Sequence, residues 1–128
     1  MKKGILPKNK QGRIPHKRTE YNGRIYDSLS EAGYAHHLEG LKHAHNLEDR
    51  VVRVENQVAY PIYVKKKHVF DYFADFRVTY GDKRQEVIDV KSPITAKDPV
   101  FRIKKKCVEA YYGIEVKEII VKSTKKLL

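Results

Sequence analysis

Asp75, Asp89 and Lys91 stand in two strand-like runs, YFADFRVTY and QEVIDVK, joined by the short turn GDKR. Residues two apart in a strand share a face. Asp89 and Lys91 therefore point one way and Ile88 and Val90 the other, while Asp75 shares its face with Phe73 and Arg77. A turn this short makes the runs antiparallel neighbours, and a turn centred on Asp82 sets residue 75 opposite residue 89. Cβ atoms of such a pair lie about 5 Å apart. Two carboxylates at that spacing repel unless a cation lies between them. A hard divalent ion that takes oxygen ligands and waters, Mg²⁺ or Mn²⁺ as its substitute, resolves the repulsion. Lys91 then stands beside the ion, within reach of a water or a phosphate oxygen. The ordinary alternative is a solvated sheet face with Asp89–Lys91 or Asp75–Arg77 ion pairs.

A third carboxylate comes from the segment before the strands. SLSEAGYAHHLEGLKHAH predicts a helix from about Ser28 to about His45. On its apolar stripe Glu31 lines up with Tyr34/Ala35, Leu38 and Leu41, so it faces the sheet. Two readings stand side by side. Ser28 and Glu31 have the S-x-x-E spacing of a capping box, or Glu31 is a third acidic ligand for the same cation.

The elements that must hold these groups follow from local signals. Asn22-Gly23 marks a hairpin. Strands are expected near 51–54, 57–64, 69–79 and 85–91, with Pro61 placing the second at an edge or a bulge. SPITAKDP reads as a loop, Asp98 as a helix cap with Pro99 in the first turn, and Gly113 as the end of that helix. Its apolar stripe is Val100, Ile103, Cys107 and Ala110/Tyr111, with Lys104, Lys105 and Lys106 mostly off it. A last strand covers 116–121. Helix, strands, helix and strand in this order predict an α/β fold with a mixed central β-sheet flanked by helices.

The chain has 128 residues, enough for one domain. Its 27 Lys and Arg against 16 Asp and Glu leave a formal charge of +11, which favours polyanions and nucleic acid first. A merely basic, ribosomal-type protein would share that charge. The single cysteine, Cys107, rules out an internal disulfide or a thiolate metal cluster and suits a reducing cytoplasm. No apolar run approaches a membrane span. Residues 1–19 read as a flexible basic arm, 20–122 as the domain and 123–128 as a basic tail. The histidines lack zinc-binding spacing, H-E-x-x-H or H-x-x-x-H. Two clusters, Lys65, Lys66 and Lys67 in VKKKH and Lys104 and Lys105 in RIKKK, are candidate phosphate contacts.

An acidic residue on the first helix, an aspartate on one strand and D-x-K on the next, then a helix and a strand, resemble the PD-(D/E)XK nuclease superfamily. The layout is similar to that of phage-encoded endonucleases and Holliday-junction resolvases. The resemblance rests on YDSLSEAGYAHHLEGL, YFADFRV and VIDVKS and spans roughly residues 20 to 121. It implies a restriction-endonuclease-like core with αβββαβ order. Glu31, Asp75 and Asp89 would bind metal with the carbonyl of Val90, and Lys91 would be the catalytic lysine beside those carboxylates. It further implies Mg²⁺-dependent hydrolysis of DNA phosphodiesters leaving a 5′-phosphate, branched DNA such as a Holliday junction as substrate, and a homodimer. Ala74 stands where such proteins often carry Pro, and Asp89 where Glu is commoner; Lys105 could be a further polar site residue on the second helix. A sequence-specific or nonspecific nuclease of the same fold, and a non-catalytic basic nucleic-acid-binding module, are the alternatives.

Overall fold

The computed structural model describes residues 19–26 and 28–122. A small antiparallel hairpin, β1 (Thr19–Tyr21) and β2 (Arg24–Tyr26), precedes helix α1 (Leu29–Leu41). Its turn is built on Asn22 and Gly23, both at positive φ, as the Asn-Gly pair predicts. The main sheet comprises β3 (Val51–Val64), β4 (Lys67–Tyr80), β5 (Gln85–Lys91) and β6 (Val116–Ile120), in the order β3-β4-β5-β6. The first two pairings are antiparallel and the last is parallel. Between β5 and β6 the chain makes a short turn of helix, α2 (Pro93–Ala96), and the crossover helix α3 (Pro99–Tyr112). The fold is thus α/β with a mixed central sheet and helices on its faces. Among the described residues no helix is long and apolar enough to cross a membrane.

The helix ends obey local chemistry. Ser28 caps α1 by accepting from the Glu31 N–H at 3.1 Å. Asp98 caps α3 through the Val100 N–H at 3.1 Å, with Pro at the first turn, and Gly113 closes it in the left-handed conformation at φ 66°. α1 ends four residues before the expected His45. The Arg50 guanidinium binds the carbonyls of Ala44 and His45, and Asn46 O accepts from the Asp49 and Arg50 N–H groups, folding this stretch into turns. The expected loop SPITAKDP contains α2, because Ser92 and Thr95 form a reciprocal capping box.

Where separate strands were expected at 51–54 and 57–64, β3 runs unbroken. It is the edge strand that Pro61 predicts, with a register shift at Ile62/Tyr63. Something does happen near the expected break. Val87 and Ile88, successive residues of β5, join different cores: Val87 packs with Val108 beneath α3, Ile88 with Leu38 beneath α1. On β4, Phe76, Val78 and Tyr80 belong to the α1 core, yet Tyr72 and Ala74, in the same alternation, belong to the α3 core. Strict two-residue alternation would put all five on one face. The exchange falls at Asp75 and Gln57, between the pairs Asn56↔Phe76 and Val58↔Ala74. Gln57 has φ 49°, in the left-handed region. A non-glycine residue held there costs about 1–3 kcal/mol and signals a constraint imposed by its surroundings.

Helix α3 corrects another expectation. The stripe Val100, Ile103, Cys107 and Tyr111 does not form the core face; Ile103 is 62% exposed and Val100 51%. The helix instead turns Phe101, Lys104, Lys105 and Val108 inward, with Val108 fully buried. Lys104 lays its ammonium over the Phe70 ring at 5.4 Å, and Lys105 reaches Glu118 on β6. Long basic stems can cover apolar surface while their heads find a partner, so the residues that looked solvent-facing pack, and the apolar ones remain outside.

Candidate active site

β4 and β5 pair through Phe76↔Ile88 and Arg77↔Val87. One further step brings Asp75 opposite Asp89, the register expected from a turn centred on Asp82. There the side chains carry the cross-strand bonds. The Asp75 N–H donates to Asp89 Oδ1 at 3.0 Å, and the Val90 N–H donates to Asp75 Oδ2 at 2.8 Å. Each aspartate thus ties the other's strand in place, and the Val90 backbone is pinned against Asp75.

Asp89 is 1% exposed. Its Oδ2 accepts from the Tyr72 hydroxyl. Burial pushes its carboxyl above the usual range, against the pull of the Lys91 charge and of the Asp75 N–H. A buried carboxylate in this condition gains from any added positive charge. Lys91, two residues on, holds its ammonium over the Phe101 ring at 4.6 Å. The ion pair imagined between Asp75 and Arg77 is not what the structure contains. Arg77 makes a two-pronged bond to Glu55, at 2.9 and 2.8 Å.

Glu31 is buried at 6% exposure on the first turn of α1. Its Oε2 accepts from Gln57 Nε2 at 2.9 Å, and the same nitrogen reaches Asp75 Oδ1 at 3.2 Å. The Ser28 half of the expected capping box is formed, while the Glu31 carboxylate reaches across to β3. Glu31, Gln57, Asp75 and Asp89 make one chain of hydrogen bonds joining α1, β3, β4 and β5, with Lys91 at the end of β5. Among the described residues, no three His, Cys, Asp or Glu side chains are gathered tightly enough to hold a metal ion as they stand. A neutral amide lies between two of the carboxylates.

The donor set nevertheless suits a hard cation. Each carboxylate can accept about four hydrogen bonds or ligand contacts, and Asp75 and Asp89 each use two through the bonds named above. The carboxylate oxygens of Glu31, Asp75 and Asp89, brought together from α1, β4 and β5, are the kind of donor that Mg²⁺ or Mn²⁺ prefers.

A family model for DUF1064, a protein of unknown function, matches residues 12–127. The chain belongs to the DUF1064 family. No curated protein matches it. The DUF1064 match covers the whole described fold and with it Glu31, Gln57, Asp75, Asp89 and Lys91.

The candidate phosphate contacts divide. Lys65 and Lys66 form the tip of the β3–β4 hairpin, both at positive φ, and Lys67 begins β4; all three are exposed. Nine residue steps along the strand carry Lys66 to Asp75, roughly 30 Å at about 3.3 Å per residue. Lys104 is half-buried over Phe70. Lys105 is committed to Glu118 and, at 4.0 Å, to Glu109, which leaves it a structural cation rather than an open phosphate contact. Gln57, Tyr72 and Phe101 join the site only in the folded chain. Tyr72 and Phe101 carry no separate signal among many strand and helix aromatics. Gln57 carries one, since it lies at the break between the strands expected at 51–54 and 57–64.

Proposed function

We propose that this chain is a metal-dependent endonuclease that hydrolyses DNA phosphodiesters, with branched DNA such as a Holliday junction as its substrate. What supports the reading most is the hydrogen-bonded chain Glu31–Gln57–Asp75–Asp89, drawn from four elements, with Lys91 two residues beyond Asp89. Glu31, Asp75, Asp89 and the Val90 carbonyl would hold Mg²⁺ or Mn²⁺, which when bound supplies a Lewis acid and a water that ionises near neutral pH.

The chain's own residues do the rest. Asp89 accepts from the Asp75 N–H and Asp75 from the Val90 N–H, so their oxygens are positioned before any ligand arrives, and positioning of this kind is what removes entropy from a reaction barrier. Tyr72 fixes one Asp89 oxygen. Lys91 can orient the attacking water and offset charge growing on the phosphate oxygens. The Phe101 ring beneath its ammonium limits where that charge can go. Lys65, Lys66 and Lys67 at the hairpin tip would grip backbone phosphates far from the cleaved bond.

A homodimer would give the two sites that cutting two strands of a junction requires. Its candidate surface is the outer face of α3, where Val100, Ile103 and Tyr111 are each at least half exposed on one stripe. A twofold axis would set that stripe against itself.

The deciding experiment incubates the full chain with duplex, single-stranded, flap and four-way-junction DNA, in Mg²⁺ or in EDTA. Mg²⁺-dependent cutting that favours the junction is expected. Cutting of plain duplex alone would make it a nuclease of another specificity, and salt-sensitive binding without cutting under Mg²⁺ or Mn²⁺ would make it a binding module.

A further inference from the structure

Gln57 departs from its surroundings in three ways that bear on one another. It lies in a long strand, yet its backbone is left-handed. It marks the place where β3 and β4 exchange one core for the other. Its side-chain nitrogen is bonded to both Glu31 and Asp75. Asparagine and glycine enter the left-handed region most readily, and glutamine does so at a penalty. The contacts of its side chain explain why the strain is kept: the amide puts two N–H donors between two carboxylates of like charge.

A second observation lies next door. Arg24, Ile25, Tyr26, Glu31, Asn56 and Gln57 line a cavity of about 40 Å³. That is more than the roughly 10–15 Å³ that a single water requires. The side-chain nitrogen of Asn56 is buried without a hydrogen-bond partner among the described residues. An unsatisfied buried donor carries a free-energy penalty that is removed when an acceptor arrives. The carbonyl oxygen at the end of the Gln57 side chain is such an acceptor, one residue away along the strand.

Resting on the cation-binding reading given above, we propose that Gln57 is a positioning residue whose amide stands, as a neutral donor, where a divalent cation binds between Glu31 and Asp75, and that the cavity beside Asn56 receives this amide when the cation enters. In the cation-free chain the amide holds the two carboxylates together and keeps α1 in register with β4. When the cation takes over that task, the side chain turns and Asn56 gains its missing acceptor. No bond is made or broken except hydrogen bonds.

The test compares wild type with Gln57→Ala, Gln57→Asn and Asn56→Leu, with Mn²⁺ itself as the probe. Melting in EDTA and Mn²⁺ titration calorimetry are the readouts. Gln57→Ala is expected to melt several degrees lower in EDTA and to bind Mn²⁺ about tenfold tighter, because the ion no longer displaces an amide. Gln57→Asn tolerates the left-handed backbone but is one methylene short of bridging both carboxylates, so it should also tighten Mn²⁺ with a smaller loss of melting temperature. Asn56→Leu removes the donor that receives the amide and should weaken Mn²⁺ several-fold. A merely structural Gln57 would lower the melting temperature and leave Mn²⁺ affinity unchanged or weaker, which overturns the proposal. Wild type that binds no Mn²⁺ removes the cation reading and this inference together. A chain that binds Mn²⁺ in the expected order but cuts no DNA loses only the nuclease reading.

Discussion

Replacing Asp75 by Asn keeps the shape of the side chain and removes one charge, and the structure says what else it does. Asp75 accepts at both oxygens, from Val90 N–H at 2.8 Å and from Gln57 Nε2 at 3.2 Å. Asn has one acceptor and one two-hydrogen donor in those places. If its oxygen faces Val90, its NH₂ confronts the NH₂ of Gln57; rotating Gln57 to relieve this gives up the bond to Glu31. One charge-assisted hydrogen bond is therefore lost in either arrangement, worth about 1.5–3 kcal/mol. Relief of the repulsion among Glu31, Asp75 and Asp89 returns a part, leaving a net loss of about 1 kcal/mol in the cation-free protein. For a domain of this size that is a fall of about 3–5 °C in melting temperature. The same substitution removes a charged ligand, so Mg²⁺ should no longer raise the melting temperature and cutting should fall by at least about a hundredfold. DNA binding in Ca²⁺ should hold or tighten, since a negative charge facing the phosphate is gone. The assay is melting in EDTA and in Mg²⁺, junction affinity in Ca²⁺, and cutting in Mg²⁺. A variant that melts within a degree of wild type in EDTA refutes the hydrogen-bond reasoning. One that cuts at the wild-type rate removes Asp75 from the active site.

Substituting Lys65, Lys66 and Lys67 together by Ala should flatten the slope of log affinity for DNA against log salt by up to about 2.7, if each lysine meets one phosphate; an unchanged slope moves the binding surface elsewhere. Glu118 is pushed up by burial, but the hydrogen bonds from Lys105 and Arg102 outweigh this and hold it below the usual carboxylate range. A lowered folded-state value means its contribution is whole above about pH 4.5, its ordinary value, and fades as pH falls through the lowered one. The stability difference between wild type and Glu118→Gln should accordingly shrink on acidification in pH-dependent urea unfolding, and a difference that grows would reverse the assignment. Ile103→Glu on the outer face of α3 should leave monomer stability within about 0.5 kcal/mol and abolish self-association in sedimentation, whereas Val108→Ala, one turn along on the buried face, should lose roughly 2 kcal/mol. Wild type that sediments as a monomer at tens of micromolar removes the dimer.

Much here was settled within a few residues of chain. Asn22-Gly23 made its hairpin, Asp98 and Gly113 bounded their helix, and 85–91 became a strand over its full predicted length, because turns, caps and alternation depend on contacts that are local. The opposition of Asp75 and Asp89 was legible for the same reason: a short turn leaves little freedom in register. Tertiary structure decided the rest. Periodicity marked an apolar stripe on α3, but which stripe faces the sheet depends on what waits there, and Phe70 and Glu118 on other strands drew Lys104 and Lys105 inward while Val100 and Ile103 stayed out. Whether Glu31 serves its own helix or the sheet was likewise open until β3 brought Gln57 beside it. Gln57 itself is ordinary as a residue type. Its place between two carboxylates, and the strained backbone that keeps it there, arise only when α1, β3 and β4, some 26 and 18 residues apart at the points of contact, are packed together.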